Sequence, residues 1–596
     1  MTIDLFELIK LLVGVVVIVF PGYLYSYLFS KRITALERIV FGFILGIILF
    51  SVAPYILSVF FNVYLSRDVI LILYIFYIIP AVLIFFIIWY KSGRHRLEIP
   101  HFFTRKNLVL LGLLCFIMFM TYLPHISKDY YLPFHVDEWI HWSVSRAVMD
   151  HGSVSFLNPY TGIDIFVSRE IGFHTLTASF SWLTTSSLYT LFLFMPSIIA
   201  FFIGLTAFNI GERTDKKFGF EACLLISFIP TTVRYLGPSF YVAVATGLLL
   251  LIFLVWLIQQ KKYSFTMLIA PIIWCLFLIH PVTAFAGIIV AIIYSLMLVV
   301  EKNYKIALST CLNIAFTCIP LVFLLTIPSR WKNEFDMFLN SLSGEEYVLN
   351  LPAIYVSFSD LGLVIWMFFV IGSYFVVTRG KSLQFTICFS ALSFITIIGL
   401  FSFFGYGIPI LYDRSFLYLF LFVALVAAIG LRELRDAITL LLNKYYPRQI
   451  NRYDKHLKHT VIPIVIVCLI LITTVPTHVE TSYYKMIDEQ DYETFTWIRE
   501  NIDNYRDENH TYMIAAIHPS KASPFSAITG LYIRCSSMNP VYTNLISQDA
   551  MKSFLDNQCR NTTFLIKYKF TVVYGDCNNT NLTMIYPKVY LFPAST

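Results

Sequence analysis

The chain has 596 residues, a net charge of +7 at pH 7 and a mean hydropathy of +0.73. Of its residues, 58% are hydrophobic and only 13% are charged, against roughly 25% charged residues in typical soluble domains. This composition excludes an ordinary soluble protein and predicts a polytopic α-helical membrane protein. The net positive charge reflects the loop residues discussed below, so it predicts no nucleic acid partner.

Apolar segments long enough to cross a bilayer recur along the chain. A helix needs about 20 apolar residues to cross roughly 30 Å of hydrocarbon. The first segment, "LLVGVVVIVFPGYLYSYLFS", has no cationic start and no small-residue cleavage site, which favours a span over a cleaved signal peptide. We predict about fourteen spans, over residues 5–30, 38–62, 69–90, 107–124, 186–209, 219–232, 239–259, 263–279, 283–300, 306–327, 361–378, 383–403, 415–432 and 460–476.

The lysines and arginines of the connecting loops predict the orientation. Loops on one side, including 91–106 and 432–458, carry most of these residues, and the positive-inside rule places that side in the cytoplasm. The N-terminus, the long loop 125–185 and the segment after the last span are then external. This orientation is that expected of a multi-pass protein of the plasma membrane.

Changes in composition divide the chain into three predicted parts. An N-terminal three-span module covers residues 1–106, and a membrane core covers 107–477, including the external loop 125–185 and a second external loop near 329–360. From about residue 480 the composition becomes that of a soluble protein, and "TYMIAAIH", "FTVVYGD" and "KVYLF" are typical of short buried strands. We therefore predict an external α/β domain over 478–596.

The predicted external domain carries two kinds of motif that suit an oxidising compartment. Cys535, Cys559 and Cys577 lie in it, so one disulfide with one thiol left over is expected, and the sequence leaves the pairing open. The same segment has four N-x-[ST] sequons, which are acceptor motifs for N-glycosylation. They begin at Asn509, Asn561, Asn578 and Asn581.

Charged residues concentrate in "FHVDEWIHWSVSRAVMDHG", residues 134–152 of the first external loop. On a helix, a spacing of four places Asp137 beside His141. An acidic pair with a nearby imidazole can accept a proton from an attacking hydroxyl, or it can bind a divalent cation such as Mg or Mn through Asp137, Glu138 and His141. The alternative is an amphipathic helix at the membrane surface whose charges only face water.

Three segments resemble the C-type (GT-C) membrane glycosyltransferases. An acidic pair in the first large external loop is a hallmark of that family, and "HVDEWIHW" resembles it. The segment "SREIGFHTLTASFSW" (168–182) resembles the stretch that those enzymes place late in the loop, and "YDRSFLYLFLFVALVAAIGL" (412–431) resembles their late span with an external arginine. The chain departs from the family in having four predicted spans before the loop 125–185, which contains the acidic pair and is called the motif loop below; one span is usual there.

The resemblance implies a GT-C-like enzyme that moves a sugar from a polyprenyl- or dolichyl-phosphate donor. The acceptor would be a glycan, lipid or protein outside the cell, and membrane lipids would surround the helices. Asp137 is then the expected general base, Glu138 a second carboxylate or metal ligand, and Arg414 the ligand of the donor phosphate, since a guanidinium binds phosphate bidentately. The other expected substrate-binding residues are His135, His141, Arg146 and His174.

Other readings of the same residues remain open. Arg414 alternatively pairs with Asp413 at the end of a span, and His174 is alternatively a hydrogen-bonded structural histidine. A lipid-linked oligosaccharide flippase or another transporter would also have many spans, but ionisable or broken positions are then expected at mid-membrane. The chain has no P-loop and no zinc-protease motif. A non-catalytic assembly protein leaves the acidic pair unexplained, and the sequence identifies neither sugar nor acceptor.

Overall fold

The apolar segments form helices in a computed structural model of the chain. The structure describes residues 5–30, 33–91, 104–163, 165–166, 168–214, 217–233, 235–326, 358–405, 409–445, 462–480, 483–505, 513–537 and 545–593. Nearly all of the predicted loop 329–360 lies outside these residues, as does Asn509.

Helices dominate because a chain in lipid must pair its own backbone N–H and C=O groups. The helices up to the middle of the chain are α1 (Leu5–Phe29), α2 (Ala35–Phe61), α3 (Arg67–Lys91), α4 (Arg105–Lys128), α5 (Val136–His151), α6 (Ile171–Thr184), α7 (Leu188–Glu212), α8 (Gly219–Ile226), α9 (Ala243–Gln259), α10 (Tyr263–Thr266), α11 (Ile269–Ile279), α12 (Pro281–Val300) and α13 (Tyr304–Thr326). A short 3-10 helix, Phe358–Leu361, then precedes α14 (Leu363–Arg379), α15 (Ser382–Phe404), α16 (Pro409–Tyr445) and α17 (Ile462–Val479).

Eight helices among the described residues are long and apolar enough to cross a membrane, which agrees with a membrane protein. Four shorter apolar helices lie over Ala243–Gln259, Tyr263–Ile279, Leu363–Arg379 and Val467–Pro476. The predicted sixth span, 219–232, contains only the eight-residue helix α8, about 12 Å long at 1.5 Å per residue. The number fourteen therefore stays a prediction.

The first three helices pack against the motif loop. Helix α1 approaches α2 closely where Gly22 meets Gly42, since a Cβ atom on Gly22 would lie 2.7 Å from the Cα atom of Gly42. At the end of α2, the backbone N–H of Val154 donates to Ser58 Oγ at 3.2 Å. The N–H of Leu65 donates to the carbonyl of Gly152, which caps α5 in the left-handed conformation. The predicted module thus supports the far end of α5.

The segment after α17 forms a five-stranded sheet with helices. Its strands are β3 (Ile514–Ala516), β4 (Tyr532–Ile533), β5 (Val572–Tyr574), β6 (Thr583–Tyr586) and β7 (Val589–Leu591). They have the order β4-β3-β5-β7-β6, in which β4, β3 and β5 are parallel, β7 is antiparallel to β5, and β6 is antiparallel to β7. The disulfide joins Cys559 to Cys577, and Cys535 is a buried free thiol. The helical elements are α18 (Glu489–Asn501), a 3-10 turn (Ile502–Tyr505), α19 (Ala522–Thr529), α20 (Gln548–Asp556) and α21 (Thr562–Tyr568).

This C-terminal segment is attached to the first loop by backbone hydrogen bonds. A small hairpin in the loop, β1 (Phe156–Leu157) and β2 (Ile165–Phe166), frames a turn whose Tyr160 carbonyl accepts from the N–H of Ile533 at 2.5 Å. Nearby, the Arg534 Nη1 donates to the carbonyl of Thr161 at 2.8 Å. The buried side chains of Phe495 and Phe525 belong to the same hydrophobic cluster as the helical core. The loop and the C-terminal segment therefore form one packed unit.

Candidate active site

The site is built around the start of α5, where Glu138 fixes the backbone. Its side chain is only 2% exposed. One carboxylate oxygen accepts the N–H groups of Phe134 at 2.8 Å and His135 at 3.1 Å, and the other accepts the N–H of Tyr241 at 2.9 Å. Burial raises the pKa of Glu138 to about 7, although these three N–H groups oppose the shift. Glu138 therefore joins α5 to the chain just before α9.

Asp137 points to a different side of α5, because neighbouring helical residues are rotated by about 100°. Its side chain is 33% exposed. Its Oδ2 lies 4.0 Å from the Nη2 of Arg414 and 3.8 Å from the Nδ1 of His135. That histidine is the N-cap of α5, and its Nδ1 accepts the N–H of Asp137 at 3.1 Å. An open carboxylate thus faces a guanidinium at the beginning of α16.

Glu170, just before α6, brings two histidines from distant parts of the chain together. Its Oε2 lies 3.6 Å from the Nε2 of His141, and its Oε1 lies 3.6 Å from the Nε2 of His280. Its side chain remains 27% exposed. Burial, followed by the negative charge of Asp137, raises the pKa of Glu170 to about 8, while Arg414 opposes the shift. The carboxyl group is therefore largely protonated at neutral pH.

His280 caps the start of α12 and has a defined tautomer in this environment. Its Nδ1 accepts the N–H of Thr283 at 3.2 Å and lies 2.7 Å from the hydroxyl of the same residue. Because Nδ1 is an acceptor, the proton of a neutral ring lies on Nε2, which is directed to Glu170. The Thr283 hydroxyl also contacts the Tyr418 hydroxyl at 2.7 Å. A hydrogen-bonded chain thus leads from α16 to the ring of His280, whose Nε2 lies 3.6 Å from the carboxyl group of Glu170.

The remaining two predicted histidines form the inner wall of the site. The rings of His141 and His174 are 5.1 Å apart, and both side chains are buried. Burial lowers the pKa of His141 to about 4 and the pKa of His174 well below its usual value. The His174 Nε2 lies 3.2 Å from the Ser168 hydroxyl. Both rings are therefore neutral at physiological pH and present polar nitrogens rather than positive charge.

Arg146 lies away from these residues. It follows Asp137 by nine positions on α5, a rise of about 13 Å. Its Nη1 donates to the carbonyls of Ala527, at 2.9 Å, and Ile528 at the end of α19, and its Nε lies 3.4 Å from Asp150. Burial lowers the pKa of Arg146 to about 10. The guanidinium therefore binds the C-terminal segment, and the structure does not bring it to Asp137.

Among the described residues, the structure shows no cation site at the predicted metal ligands. Within the part of the chain that the structure describes, no group of three or more His, Cys, Asp or Glu side chains is placed to hold a metal ion. Of Asp137, Glu138 and His141, the middle residue has both carboxylate oxygens engaged by backbone N–H groups. We therefore derive no reaction step through a metal.

Glu170 and His280 are the two residues of this cluster that the sequence prediction did not include. A signal for each was available. Glu170 is the carboxylate in the segment 168–182, and His280 directly precedes Pro281 at the start of a predicted span. The sequence does not show that these two residues meet, because they are far apart along the chain and come together through the packing of α6 against α11.

Comparison with solved structures identifies the fold. One match is the Archaeoglobus fulgidus oligosaccharyltransferase tethered with an acceptor peptide containing the NVT sequon. It has a TM-score of 0.51 and 12% sequence identity, and the match covers 79% of this chain and 69% of that chain. Another match is AglB from Archaeoglobus fulgidus, in complex with an inhibitory peptide and a dolichol-phosphate. It has a TM-score of 0.50 and 13% sequence identity, and the match covers 81% of this chain and 69% of that chain. No protein-family profile and no curated protein sequence matches the chain. These likenesses confirm the predicted GT-C type fold.

Proposed function

We propose that the chain is a membrane glycosyltransferase that transfers a sugar or glycan from a polyprenyl-phosphate-linked donor. The acceptor would bind at the same end of the helices as α5. The observation that carries the proposal is the open pair of Asp137 and Arg414, 4.0 Å apart, on a GT-C type fold. The solved neighbour in complex with a dolichol-phosphate supports a lipid-linked donor.

In this mechanism Arg414 binds the donor phosphate. The bond between the sugar C1 and the phosphate oxygen breaks, and its electron pair leaves with the phosphate. A guanidinium stabilises this leaving group because it donates two parallel charge-assisted hydrogen bonds to phosphate oxygens. Arg414 lies at the beginning of α16 with its side chain mostly buried, a setting in which charge stabilisation is stronger than in water.

Asp137 acts as the general base. As the acceptor forms its bond to C1, it loses a proton to the carboxylate of Asp137, whose exposed third leaves room for the acceptor. Glu138 serves as a positioning residue, since its bonds to three backbone N–H groups hold the start of α5 in place. His135 orients Asp137 through its cap of the helix.

The polar side chains beside this pair would bind hydroxyl groups of the sugar or the acceptor. Glu170 in its protonated form donates one hydrogen bond and accepts others. The neutral rings of His141, His174 and His280 add further polar nitrogens without repelling Arg414. Arg146 we assign to holding α5 against α19 rather than to the substrate.

The orientation belongs to the proposal. The excess of lysines and arginines in the opposite loops supports an external site, and with it an external N-terminus and C-terminal segment in the plasma membrane. A cysteine introduced at Ser153, in a background without other free cysteines, should react in intact cells with an impermeant thiol reagent. A cysteine at Ser92 should not react, and the reverse pattern would contradict the orientation.

The activity can be tested with purified protein in nanodiscs. We would supply synthetic polyprenyl-phosphate and polyprenyl-pyrophosphate sugars, together with an Asn-x-Thr peptide and a cell-surface glycan extract as acceptors. Mass spectrometry should detect sugar-free lipid phosphate and a sugar-bearing acceptor. The alternative, a lipid-linked oligosaccharide flippase or another transporter, predicts that every donor stays intact while vesicle assays show its movement between leaflets.

A further inference from the structure

Asparagine sequons are distributed very unevenly along this chain. All thirteen asparagines up to Asn504 lie outside an N-x-[ST] motif, whereas four of the eight that follow begin one. Every sequon thus lies in the segment after the last helix of the bundle, on the side predicted to be external. A sequon outside a membrane is an acceptor for a lipid-linked glycan.

Three of the four sequons are described, and they form one exposed patch. Asn561, Asn578 and Asn581 are all exposed. The Asn581 side-chain nitrogen donates to the hydroxyl of Thr562 at 3.1 Å, which places the sequons of Asn561 and Asn581 side by side. The disulfide joins Cys559, two residues before Asn561, to Cys577, which directly precedes Asn578, and a disulfide is a feature of oxidising, extracytoplasmic compartments.

The three carboxamides differ in what they already bind. The Asn561 Oδ1 accepts the N–H of Phe564 at 3.1 Å and caps α21. The nitrogen of Asn581 is engaged by Thr562, as described above. For Asn578 only the backbone is held, by an N–H bond to the carbonyl of Gln558 at 2.9 Å. No described residue hydrogen-bonds its side chain, which leaves the nucleophilic nitrogen accessible.

We propose that Asn578 carries an N-linked glycan. In the reaction, the bond between C1 of the glycan and a phosphate oxygen of a polyprenyl-linked donor breaks, and its electron pair stays with the phosphate. The Asn578 Nδ2 forms the new bond to C1 and loses one proton to the base of the transferase. The site needs an oligosaccharyltransferase in the cell, whether another enzyme or a second copy of this chain, and so it does not rest on the activity proposed above.

The surroundings of Asn578 accommodate a bulky group. The residue lies in irregular chain between Cys577 and the turn before β6, and the following Thr580 is also exposed. Asn578 follows β5, which is separated by β3 from β4, the strand that contacts the hairpin turn at Tyr160. We therefore expect a glycan on this exposed residue to leave the contacts between the C-terminal segment and the motif loop intact.

The test uses the full chain purified from the membranes of the cells that produce it. Mass spectrometry of the peptide containing Asn578 should show a mass increase that fits a glycan. Thr580→Ala keeps Asn578 but removes the motif, so the modified peptide should disappear. Thr580→Ser preserves the motif and should retain it, and Thr583→Ala, which removes only the motif of Asn581, should leave it unchanged.

The proposal fails if the Asn578 peptide of the wild-type chain is found entirely unmodified, or if modification persists in Thr580→Ala. Because Thr580 and Thr583 are both exposed, none of these variants is expected to impair folding, and Thr580→Ser checks this directly at Thr580. The readout is a mass and not an activity. Its outcome is thus independent of whether this chain transfers sugar.

Discussion

Two charged clusters at opposite ends of the helices use the same residue types differently. The first cluster, at the start of α5, consists of Asp137, Glu170 and Arg414 with their histidines. The second is centred on Glu37 at the start of α2. Helix α9 links the two ends. Tyr241, just before α9, contacts Glu138 at the start of α5, and Trp256, fifteen residues later, contacts Glu37. Fifteen helical residues span about 22 Å.

The cluster around Glu37 is closed, in the sense that both carboxylate oxygens of this buried residue accept hydrogen bonds from protein groups. Glu37 is 2% exposed, and its carboxylate receives the guanidinium of Arg213, the indole N–H of Trp256 at 3.0 Å and the N–H of Thr34 at 2.8 Å. In the first cluster the contacts of Asp137 and Glu170 with Arg414 and the histidines are 3.6 to 4.0 Å long, and both carboxyl groups remain partly exposed. A filled network holds helices together, whereas a loose one retains hydrogen-bonding capacity for a ligand.

The largest expected effect comes from Asp137→Asn, which keeps the shape of the side chain but removes its negative charge. General-base catalysis typically contributes about 100- to 10,000-fold, so we expect a loss in that range in sugar transfer, with the protein still folded. Transfer is measured in nanodiscs with and without EDTA. A base acting alone predicts no effect of EDTA on the wild type, whereas inhibition reversed by Mg or Mn would indicate a shared cation. Near-full activity of the variant would refute the mechanism.

Glu37→Gln is the matched carboxylate-to-amide change in the closed cluster. It leaves the guanidinium of Arg213, which is 30% exposed, without its ionic partner. Breaking a fully buried ion pair typically costs about 3–5 kcal/mol, so we expect a loss of stability below that range. Thermal unfolding in detergent should shift clearly downward, while transfer per folded molecule stays at the wild-type level. Loss of turnover without loss of stability would mean that the comparison between the two clusters is wrong.

Arg414→Lys tests the phosphate ligand while keeping the charge. A lysine cannot supply the bidentate fork, and losing one charge-assisted hydrogen bond of about 1.5–3 kcal/mol corresponds to roughly 10- to 150-fold weaker transfer at low donor concentration. Arg435→Lys is the control on the same helix, since Arg435 pairs with Glu221 at 2.6 Å at the opposite end. Equal losses in both variants would remove Arg414 from the site.

Glu138→Gln separates positioning from catalysis. An amide offers one acceptor oxygen where the carboxylate has two, so at least one of the buried N–H groups of Phe134, His135 and Tyr241 loses its partner, at a cost of about 1–3 kcal/mol. We expect lower thermal stability and a smaller loss of kcat than for Asp137→Asn. If the two variants lose kcat equally at unchanged stability, Glu138 shares the chemistry.

The smallest expected effect is a pH dependence of stability due to Glu170. Its pKa rises from 4.5 to about 8 in the fold, so between these values the folded chain keeps a proton that the unfolded chain has released. Stability from this group therefore falls as pH rises from about 5 to 8. The Tm of Glu170→Gln should match that of the wild type near pH 5 and exceed it near pH 8.5. If the two proteins have the same dependence of Tm on pH, Glu170 is not neutral in the folded chain.

The sequence determined the class of the protein and indicated residues of the candidate site. Long apolar segments in a chain with few charges can only fold as membrane helices, because lipid leaves backbone groups no other partners. The acidic pair in the first long loop and the arginine of the segment 412–431 were likewise readable from local patterns, and the structure places Asp137 and Arg414 side by side. Their catalytic roles stay predictions.

Tertiary structure alone decided which member of the acidic pair stays open. Helical periodicity predicts that Asp137 and Glu138 point to different sides of α5. That the second carboxylate oxygen of Glu138 accepts a hydrogen bond from the N–H of Tyr241 is visible only in the structure, because Tyr241 lies in the distant chain just before α9. The meeting of Glu170 with His280, the docking of Arg146 on α19 and the pairing of Cys559 with Cys577 have the same origin. Such contacts depend on how helices pack, and residue spacing along one helix carries no information about its neighbours.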